Sequence, residues 1–323
     1  MKSLTLVLAL ILMMLLALLT GSVSLGFSEI GKLLDGSLEP GLATILLDIR
    51  LPRVLLAVIV GAGIASAGAA IQGLFRNPLA DPALIGVSAG AALFAALYVV
   101  FGSSAPVGMA LSAFAGGVLT TWIVLMIGGR GTSISTMLLA GIAINAIALS
   151  GVGLLSYWST DAQLRTISFW ALGSLNGADW SSVFIALVIP FSTVAIMFQS
   201  QSLNVVTLGD EEAEHLGVSH QKLRQRVIVL AALSVGVGVA LTGIVAFLGL
   251  VVPHLVRIMM GSNHKVVLPA SALLGGLVLL LADTFSRTLL APAELPVGII
   301  TALVGGPFFV LLLLREQRER VLV

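Results

Sequence analysis

The sequence predicts an all-α integral membrane protein, and three observations support that prediction. Of the 323 residues, 58% are hydrophobic and 10% are charged, whereas about 25% are charged in an average soluble domain. The mean hydropathy is +1.13, and a soluble chain this apolar could not cover its surface with polar groups. Long apolar runs recur without the period-two alternation of barrel strands. Because lipid offers the backbone no hydrogen-bond partner, these runs must be helices.

Composition also excludes several classes of function. The formal net charge is +1, which gives no indication of a nucleic-acid partner. The absence of cysteine excludes disulfides, thiolate metal sites and cysteine nucleophiles. No His/Glu metal-ligand pattern and no Ser–His–Asp arrangement is recognisable, so we expect no metal site, no catalytic site and no permanently bound cofactor. The four histidines are interpreted as residues in or near inner loops: His215, His220, His254 and His264.

Ten apolar segments are candidates to cross a hydrocarbon core about 30 Å thick. They are residues 2–25, 51–74, 82–101, 107–127, 133–156, 181–198, 227–241, 243–260, 266–286 and 297–314. The first is interpreted as a retained helix, because no small-x-small signal-peptidase site follows it. The seventh and eighth are the weakest pair, since residues 227–260 also fit one long kinked helix.

The distribution of basic residues favours ten spans with both termini in the cytoplasm. With that topology, 11 of the 16 basic residues lie inside and 5 lie outside. Merging the seventh and eighth segments would instead place Arg257, Lys265 and the basic C-terminus outside. Residues 1–323 are therefore expected to form one polytopic domain, with a cytoplasmic coupling region at about residues 199–226.

Within that inner region, residues 208–219 predict a short amphipathic helix. Asp210, Glu211 and Glu212 suit the positive end of a helix dipole, and Gly217 suits the position after its last turn. Because cytoplasmic leaflets are anionic, the acidic face disfavours a position on the bilayer. The apolar side of such a helix needs a groove on a protein.

Two further features have competing interpretations. Residues 76–82, RNPLADP, contain two prolines and form either a loop that lines an aqueous path or an ordinary tight loop. Arg50, Arg53 and Arg287 lie at the outer side, where basic residues are disfavoured, and arginine binds carboxylates bidentately. Interfacial snorkelling is the alternative for at least one of them.

The bilayer-spanning segments offer little for ion coupling or catalysis. Between residues 54 and 75 and along the third to fifth segments, no charged residue lies well inside the bilayer. Ion-coupled carriers usually keep such a group there, and an intramembrane enzyme needs paired catalytic groups. Asp283 is expected to be interfacial, and Asn145 is the clearly polar amide in mid-span.

Four blocks resemble a known family. RLPRVLLAVIVGAGIASAGAAIQGLFRNPLADPALIGVSAGA is similar to the iron-chelate and cobalamin permeases of ATP-binding-cassette (ABC) importers. LGDEEAEHLGV, AFLGLVVPHLVR and ADTFSRTLLAPAELPVGIITALVGGPFF follow in the same order. The resemblance extends from about Arg50 to Leu314.

The resemblance implies a type II importer permease fold in the bacterial inner membrane. Ten helices per subunit, a homodimer, two cytoplasmic ATPase subunits that bind ATP and a periplasmic substrate-binding protein are expected. The implied docking residues for the binding protein are Arg50, Arg53 and Arg287. The implied inner gate comprises Asn77, Leu79, Ser133 and Ser135, and Asn145 would line the translocation path. The implied ATPase-coupling residues are Leu208, Gly209, Asp210, Glu211, Glu212, Ala213, Leu216 and Gly217.

The substrate is indicated by one outer stretch. Residues 154–180, LLSYWSTDAQLRTISFWALGSLNGADW, look most like the haem branch of the family. Ferric siderophores and cobalamin are the alternatives, because permeases for them share the rest of the pattern.

Overall fold

The regular elements are helical in the part of the chain that the computed structural model describes, residues 2–21, 23, 25–102, 105–128 and 134–321. The helices are α1 Lys2–Leu19, α2 Phe27–Leu34, α3 Pro40–Thr44, α4 Leu51–Leu74, α5 Val87–Phe101, α6 Pro106–Ile127, α7 Ile134–Trp158, α8 Asp161–Ala171, α9 Trp180–Ala186, α10 Val188–Met197, α11 Ser200–Val206, α12 Asp210–His215, α13 His220–Thr242, α14 Leu248–Met260, α15 His264–Thr288 and α16 Val297–Val321. A π-helical segment, Ile45–Arg50, joins α3 to α4, and a 3₁₀ turn, Pro82–Ile85, precedes α5. The predicted all-α class is confirmed.

Seven helical stretches in the described ranges are long and apolar enough to cross a membrane. They are Lys2–Leu19, Pro40–Leu74, Pro106–Ile127, Ser135–Trp158, Trp180–Met197, His220–Thr242 and His264–Thr288. Three apolar helices are shorter: Val87–Phe101, Leu248–Met260 and Val297–Leu311. The 13 residues of α14 extend only about 20 Å at the rise of an α-helix.

The weakest pair of predicted segments forms two separate helices. Helix α13 ends at Thr242, residues 243–247 are not helical, and α14 begins at Leu248. Gly243 has φ +69°, and a Cβ there would lie 2.1 Å from the carbonyl oxygen of Trp170. Only glycine fits this position, so the single long helix considered for residues 227–260 is excluded. The eighth helix begins five residues later than predicted, at residue 248 instead of 243.

Helix α4 lies at the centre of the bundle. It is buried along most of its length and packs against α1, α10, α13, α14 and α15. Its glycines permit very close approach: a Cβ at Gly61 would lie 2.4 Å from the Gly275 oxygen, and one at Gly68 would lie 1.9 Å from the Gly249 oxygen. In membranes, where the hydrophobic effect does not hold helices together, small residues at helix contacts let the backbones pack closely.

A buried glutamine fixes the first turn of α14 to α4. Pro253 lies inside α14 and has no N–H for the carbonyl group of Gly249. The Gln72 Nε2 atom donates to that oxygen at 3.4 Å and to the Leu250 oxygen at 3.1 Å. Arg257 in turn donates to Gln72 Oε1. The Gly249 carbonyl oxygen, which Pro253 leaves without a donor inside α14, therefore has a hydrogen bond from a side chain of α4.

Candidate functional site

The three arginines that the sequence predicts at the outer side converge where α1, α4 and α15 meet. Arg53 is 7% exposed and binds two carboxylates. Its Nη2 lies 2.9 Å from Asp283 Oδ1, and its Nη1 lies 2.9 Å from Glu294 Oε2. The Arg53 guanidinium thus joins the start of α4 to α15 and to the connection between α15 and α16.

Arg50 and Arg287 instead hold the end of α1. Arg50 donates to the Leu18 oxygen at 2.7 Å and also to the Val23 oxygen. Arg287 donates to the Ala17 oxygen at 3.2 Å. The last carbonyl groups of a helix have no partner within it and favour cations. Both side chains are therefore bonded inside the protein rather than snorkelling to the interface.

Asp283 lies inside the protein between two of these arginines. Its position near the membrane interface stays a prediction, whereas its side chain is 0% exposed and contacts Arg53 and Arg287. A buried carboxylate is tolerated there because two guanidinium groups compensate its charge. The spacing of Asp283 and Arg287, four residues apart on one helix, was the sequence signal for this pair.

The charges in this outer cluster do not balance. Arg50, Arg53 and Arg287 carry three positive charges, whereas Asp283 and Glu294 carry two negative charges. In the described part of the chain, Arg50 bonds to backbone oxygens and forms no ion pair with a carboxylate. Among the described residues, the outer cluster therefore has one positive charge more than it has carboxylates.

At the C-terminal end of α4 the RNPLADP loop forms a compact turn. The side-chain oxygen of Asn77 accepts a 2.9 Å hydrogen bond from the Leu79 N–H, the geometry of an Asx turn. The Asn77 N–H donates to the Gln72 oxygen at 3.1 Å, and the Ala80 N–H donates to the Asn77 oxygen at 3.1 Å. Asn77 is exposed and Leu79 is half-buried.

Asp81 ends this loop and was not singled out from the sequence. Its Oδ1 accepts a 2.7 Å hydrogen bond from the Ala83 N–H, so it caps the 3₁₀ turn before α5. Burial raises the pKa of the Asp81 carboxyl, and the hydrogen bond from Ala83 opposes that rise. An aspartate directly before a proline was the available signal, because this pair is typical of a helical start.

Helix α7 touches the same turn. Asn145 Nδ2 donates to the Ala83 oxygen at 3.0 Å, and its Oδ1 is buried without a partner among the described residues. A Cβ at Gly141 would lie 1.8 Å from the Leu84 oxygen. Asn145 and the turn after Asn77 and Leu79 are therefore in one region. Ser135 is exposed near the start of α7, and Ser133 lies outside the described residues.

The acidic inner helix is present as α12, with three acidic residues in its first turn. Glycines flank it, Gly209 at φ +128° and Gly217 at φ +80°. Ala213 is buried against the protein, whereas Leu208 and Leu216 are 64% and 61% exposed. Two exposed leucines beside an acidic surface have the character of a docking site for another protein.

The four histidines lie in or beside different helices. His215 and His220 lie in or beside α12, and His254 lies within α14. His264 is 3% exposed, with Nδ1 2.8 Å from Asn204 Oδ1. Among the described residues, no group of three or more His, Asp or Glu side chains is arranged to hold a metal ion.

The chain matches the FecCD transport family over residues 9–315. The hemin transport system permease protein HmuU of Yersinia pestis is 44% identical over 326 residues, which cover 98% of this chain and 97% of that protein. The vitamin B12 import system permease protein BtuC of Salmonella paratyphi A is 41% identical over 273 residues, 84% of each chain. YvrB of Bacillus subtilis, an uncharacterized ABC transporter permease, is 40% identical over 293 residues, 88% of this chain and 82% of that protein.

Two solved structures have a fold similar to that of this chain. A transporter described as a metal-chelate-type ABC transporter in an inward-facing conformation superposes with a TM-score of 0.88 at 34% identity, covering 96% of this chain and 98% of that one. PsaBC from Streptococcus pneumoniae superposes with a TM-score of 0.59 at 17% identity, covering 87% and 94%, and shares the fold alone.

The family expected from the sequence blocks is thus confirmed, and it excludes both the ion-coupled carrier and the intramembrane enzyme. The match covers almost the whole chain, and the relatives are themselves permeases that align over most of their length. The chain therefore belongs to the FecCD transport family: it is a multi-pass permease subunit of an ABC importer, without a catalytic site of its own, and permeases of this family work with ATPase and substrate-binding partners.

Proposed function

We propose that this chain is the permease of a haem importer in the bacterial inner membrane. The supporting observation is the 44% identity to a hemin permease over 98% of the chain. The outer stretch 154–180, which looks like the haem branch, supports the same substrate. A ferric siderophore or cobalamin is the alternative, because a vitamin B12 permease is 41% identical over 84% of the chain.

In this proposal ten helices cross the membrane and both termini are cytoplasmic. The shorter α5, α14 and the first part of α16 join the seven longer stretches as spans. The excess of basic residues on the inner side supports this orientation. Two copies form a homodimer around the path. The apolar side chains of α7 that face outward from the bundle, such as Ile142 and Ile147, support a contact with lipid or a second copy.

Transport in this proposal is driven by two cytoplasmic ATPase subunits that bind α12. Leu208 and Leu216 enter a groove on the ATPase, with Gly209, Asp210, Glu211, Glu212, Ala213 and Gly217 forming the rest of the contact. ATP binding draws the two ATPases together and moves α12. The permease then alternates between two states, each favoured by its contacts with nucleotide or with the binding protein.

The inner gate is assigned to Asn77, Leu79, Ser133 and Ser135, with Asn145 on the path. The hydrogen bond from Asn145 to the Ala83 oxygen supports this assignment, since it ties α7 to the turn that follows Leu79. A shift of that turn changes the position of α7 directly.

The outer cluster is proposed as the docking site for the substrate-binding protein. Its uncompensated positive charge supports attraction of a glutamate or aspartate. Arg50 is the residue best suited to a direct contact, because Arg53 and Arg287 already share Asp283.

Reversal of Arg50 and Arg53 to Glu is expected to weaken docking and uptake. Because Arg53 is also bound to Asp283, Arg50→Gln is the variant that keeps the ion pairs of the cluster. It removes the hydrogen bonds to the Leu18 and Val23 oxygens, so its unfolding curve is compared with that of wild type. Removing one partner of a desolvated charge pair costs about 2–5 kcal/mol, so we expect at least about 30-fold weaker docking. The measurement is the affinity of the binding protein for the permease in nanodiscs.

The matched control is Arg165→Gln, which removes an exposed basic residue of α8 on the same side of the membrane. It is expected to leave the affinity unchanged. Equal affinities for Arg50→Gln and wild type, with unfolding curves that coincide, would reject the docking assignment.

The substrate is tested in proteoliposomes that contain the permease, its ATPase subunits and its binding protein. The rate of ATP hydrolysis is compared with the binding protein empty and loaded with haem, a ferric siderophore or cobalamin. Haem is expected to give the largest stimulation together with uptake into the vesicles. Stimulation by cobalamin or a siderophore but not by haem would replace the substrate while leaving the permease assignment intact.

A further inference from the structure

An ion pair joins the inner end of α4 to α12. The Nη2 atom of Arg76 lies 3.1 Å from Oδ1 of Asp210. His220, at the start of α13, also faces this carboxylate, with Nδ1 3.5 Å from the same oxygen. Asp210 is therefore the point where the end of α4, the start of α12 and the start of α13 meet.

The backbone of Arg76 is unusual for a residue of its size. It lies two residues after Leu74, the last residue of α4, and has φ +50°, in the left-handed region that glycine or asparagine normally occupies after a helix. A bulky residue there is strained, and strained residues persist where the surroundings hold them. Among the described residues, the Arg76 side chain forms its ion pair with Asp210.

The two residues of the ion pair belong to different kinds of segment, a long buried helix and a short helix between two glycines. Arg76 is continuous with α4, the most buried helix of the bundle, and with the compact turn at Asn77. Asp210 is the first residue of a six-residue helix between two glycines with positive φ. Rotation about the backbone of those glycines would allow α12 to move without moving the neighbouring helices. A side-chain contact is then needed to transmit the displacement to α4.

We propose that the Arg76–Asp210 ion pair links α12 to the RNPLADP loop within one subunit, so that the loop moves when α12 is drawn by the ATPase. This inference rests on the proposed coupling role of α12. The pair is half exposed, with 37% of the Arg76 and 52% of the Asp210 side chain accessible. Such pairs add little stability, so its contribution lies in transmitting motion between the two segments.

The test follows the RNPLADP loop itself, independently of cargo. Because the chain contains no cysteine, Pro78→Cys supplies a single thiol in the loop. Its maleimide-labelling rate is measured in the permease–ATPase complex with and without ATP. Into this parent are introduced Arg76→Asp, Asp210→Arg and both together. Aspartate tolerates positive φ better than arginine, so a loss in Arg76→Asp does not come from added backbone strain.

Each single reversal is expected to reduce the effect of ATP on the labelling rate by up to about fivefold, the factor that corresponds to an exposed ion pair. The double variant, which restores the pair with opposite polarity, is expected to recover most of the effect. Lys265→Glu, a reversal of an exposed charge at the start of α15, is the control and should change nothing.

Two results would overturn the link, each read at an ATPase concentration that saturates the variant permease. Either the double variant fails to recover the effect of ATP on the labelling rate, or ATP does not alter the labelling of the parent permease. Both results leave the proposed function standing. Failure of the parent permease to bind any ATPase would reject the proposed function, and the link with it.

Discussion

Replacing Asp283 by alanine is expected to lower the free energy of unfolding by about 3–5 kcal/mol, the cost of removing one partner from a buried ion pair. Asp283 is 0% exposed and contacts both Arg53 and Arg287. Without it, two guanidinium groups remain largely buried beside each other with only Glu294 to compensate them. The loss is measured by reversible unfolding in mixed micelles, with the fluorescence of the four tryptophans as the signal.

The matched control uses the other carboxylate on the same arginine. Glu294 is 33% exposed where it pairs with Arg53, so Glu294→Gln is expected to cost about 1 kcal/mol or less. If the two variants lose the same stability, then burial of Asp283 does not determine the strength of this cluster. If Asp283→Ala unfolds like wild type, the cluster does not hold α1, α4 and α15 together.

Replacing Leu216 by aspartate is expected to weaken ATPase binding at least about 30-fold and to reduce the rate of uptake by a similar factor. In this proposal Leu216 enters a groove on the ATPase and is an interface hot spot. Its replacement by a charged residue therefore costs about 2 kcal/mol or more of binding free energy. Leu216 is 61% exposed in the isolated chain, so the substitution does not disturb the folded permease. The affinity is measured by titrating the purified ATPase subunit onto the permease in nanodiscs.

Leu216→Met is the control, because methionine keeps the apolar volume and adapts to an existing groove. It is expected to bind the ATPase within about threefold of wild type, since volume-conserving apolar exchanges cost little. Unchanged affinity in a correctly folded Leu216→Asp variant would place the ATPase contact elsewhere than α12.

The short helix after Gly209 was predictable from the sequence to within a few residues. Its start and end depend on local chemistry, namely acidic residues in the first turn and a glycine after the last. The separation of α13 from α14 was predicted only as the favoured of two possibilities. What decides it is the contact of Gly243 with the Trp170 carbonyl oxygen, 73 residues earlier in the chain. A contact between residues so far apart cannot be predicted from the local sequence.

By itself the sequence determined that this chain is a helical membrane protein, which of its segments are apolar, and where its outer arginines and acidic inner helix lie along the chain. Those properties follow from composition, run length and helix-end chemistry, which act over a few residues. The tertiary structure alone decided that Asp283 is buried, that Arg50 and Arg287 hold the end of α1, and that Arg76 meets Asp210. Each of these depends on which side chains packing brings within 3 to 4 Å of each other, and charges far apart in sequence have many possible partners until the helices are packed.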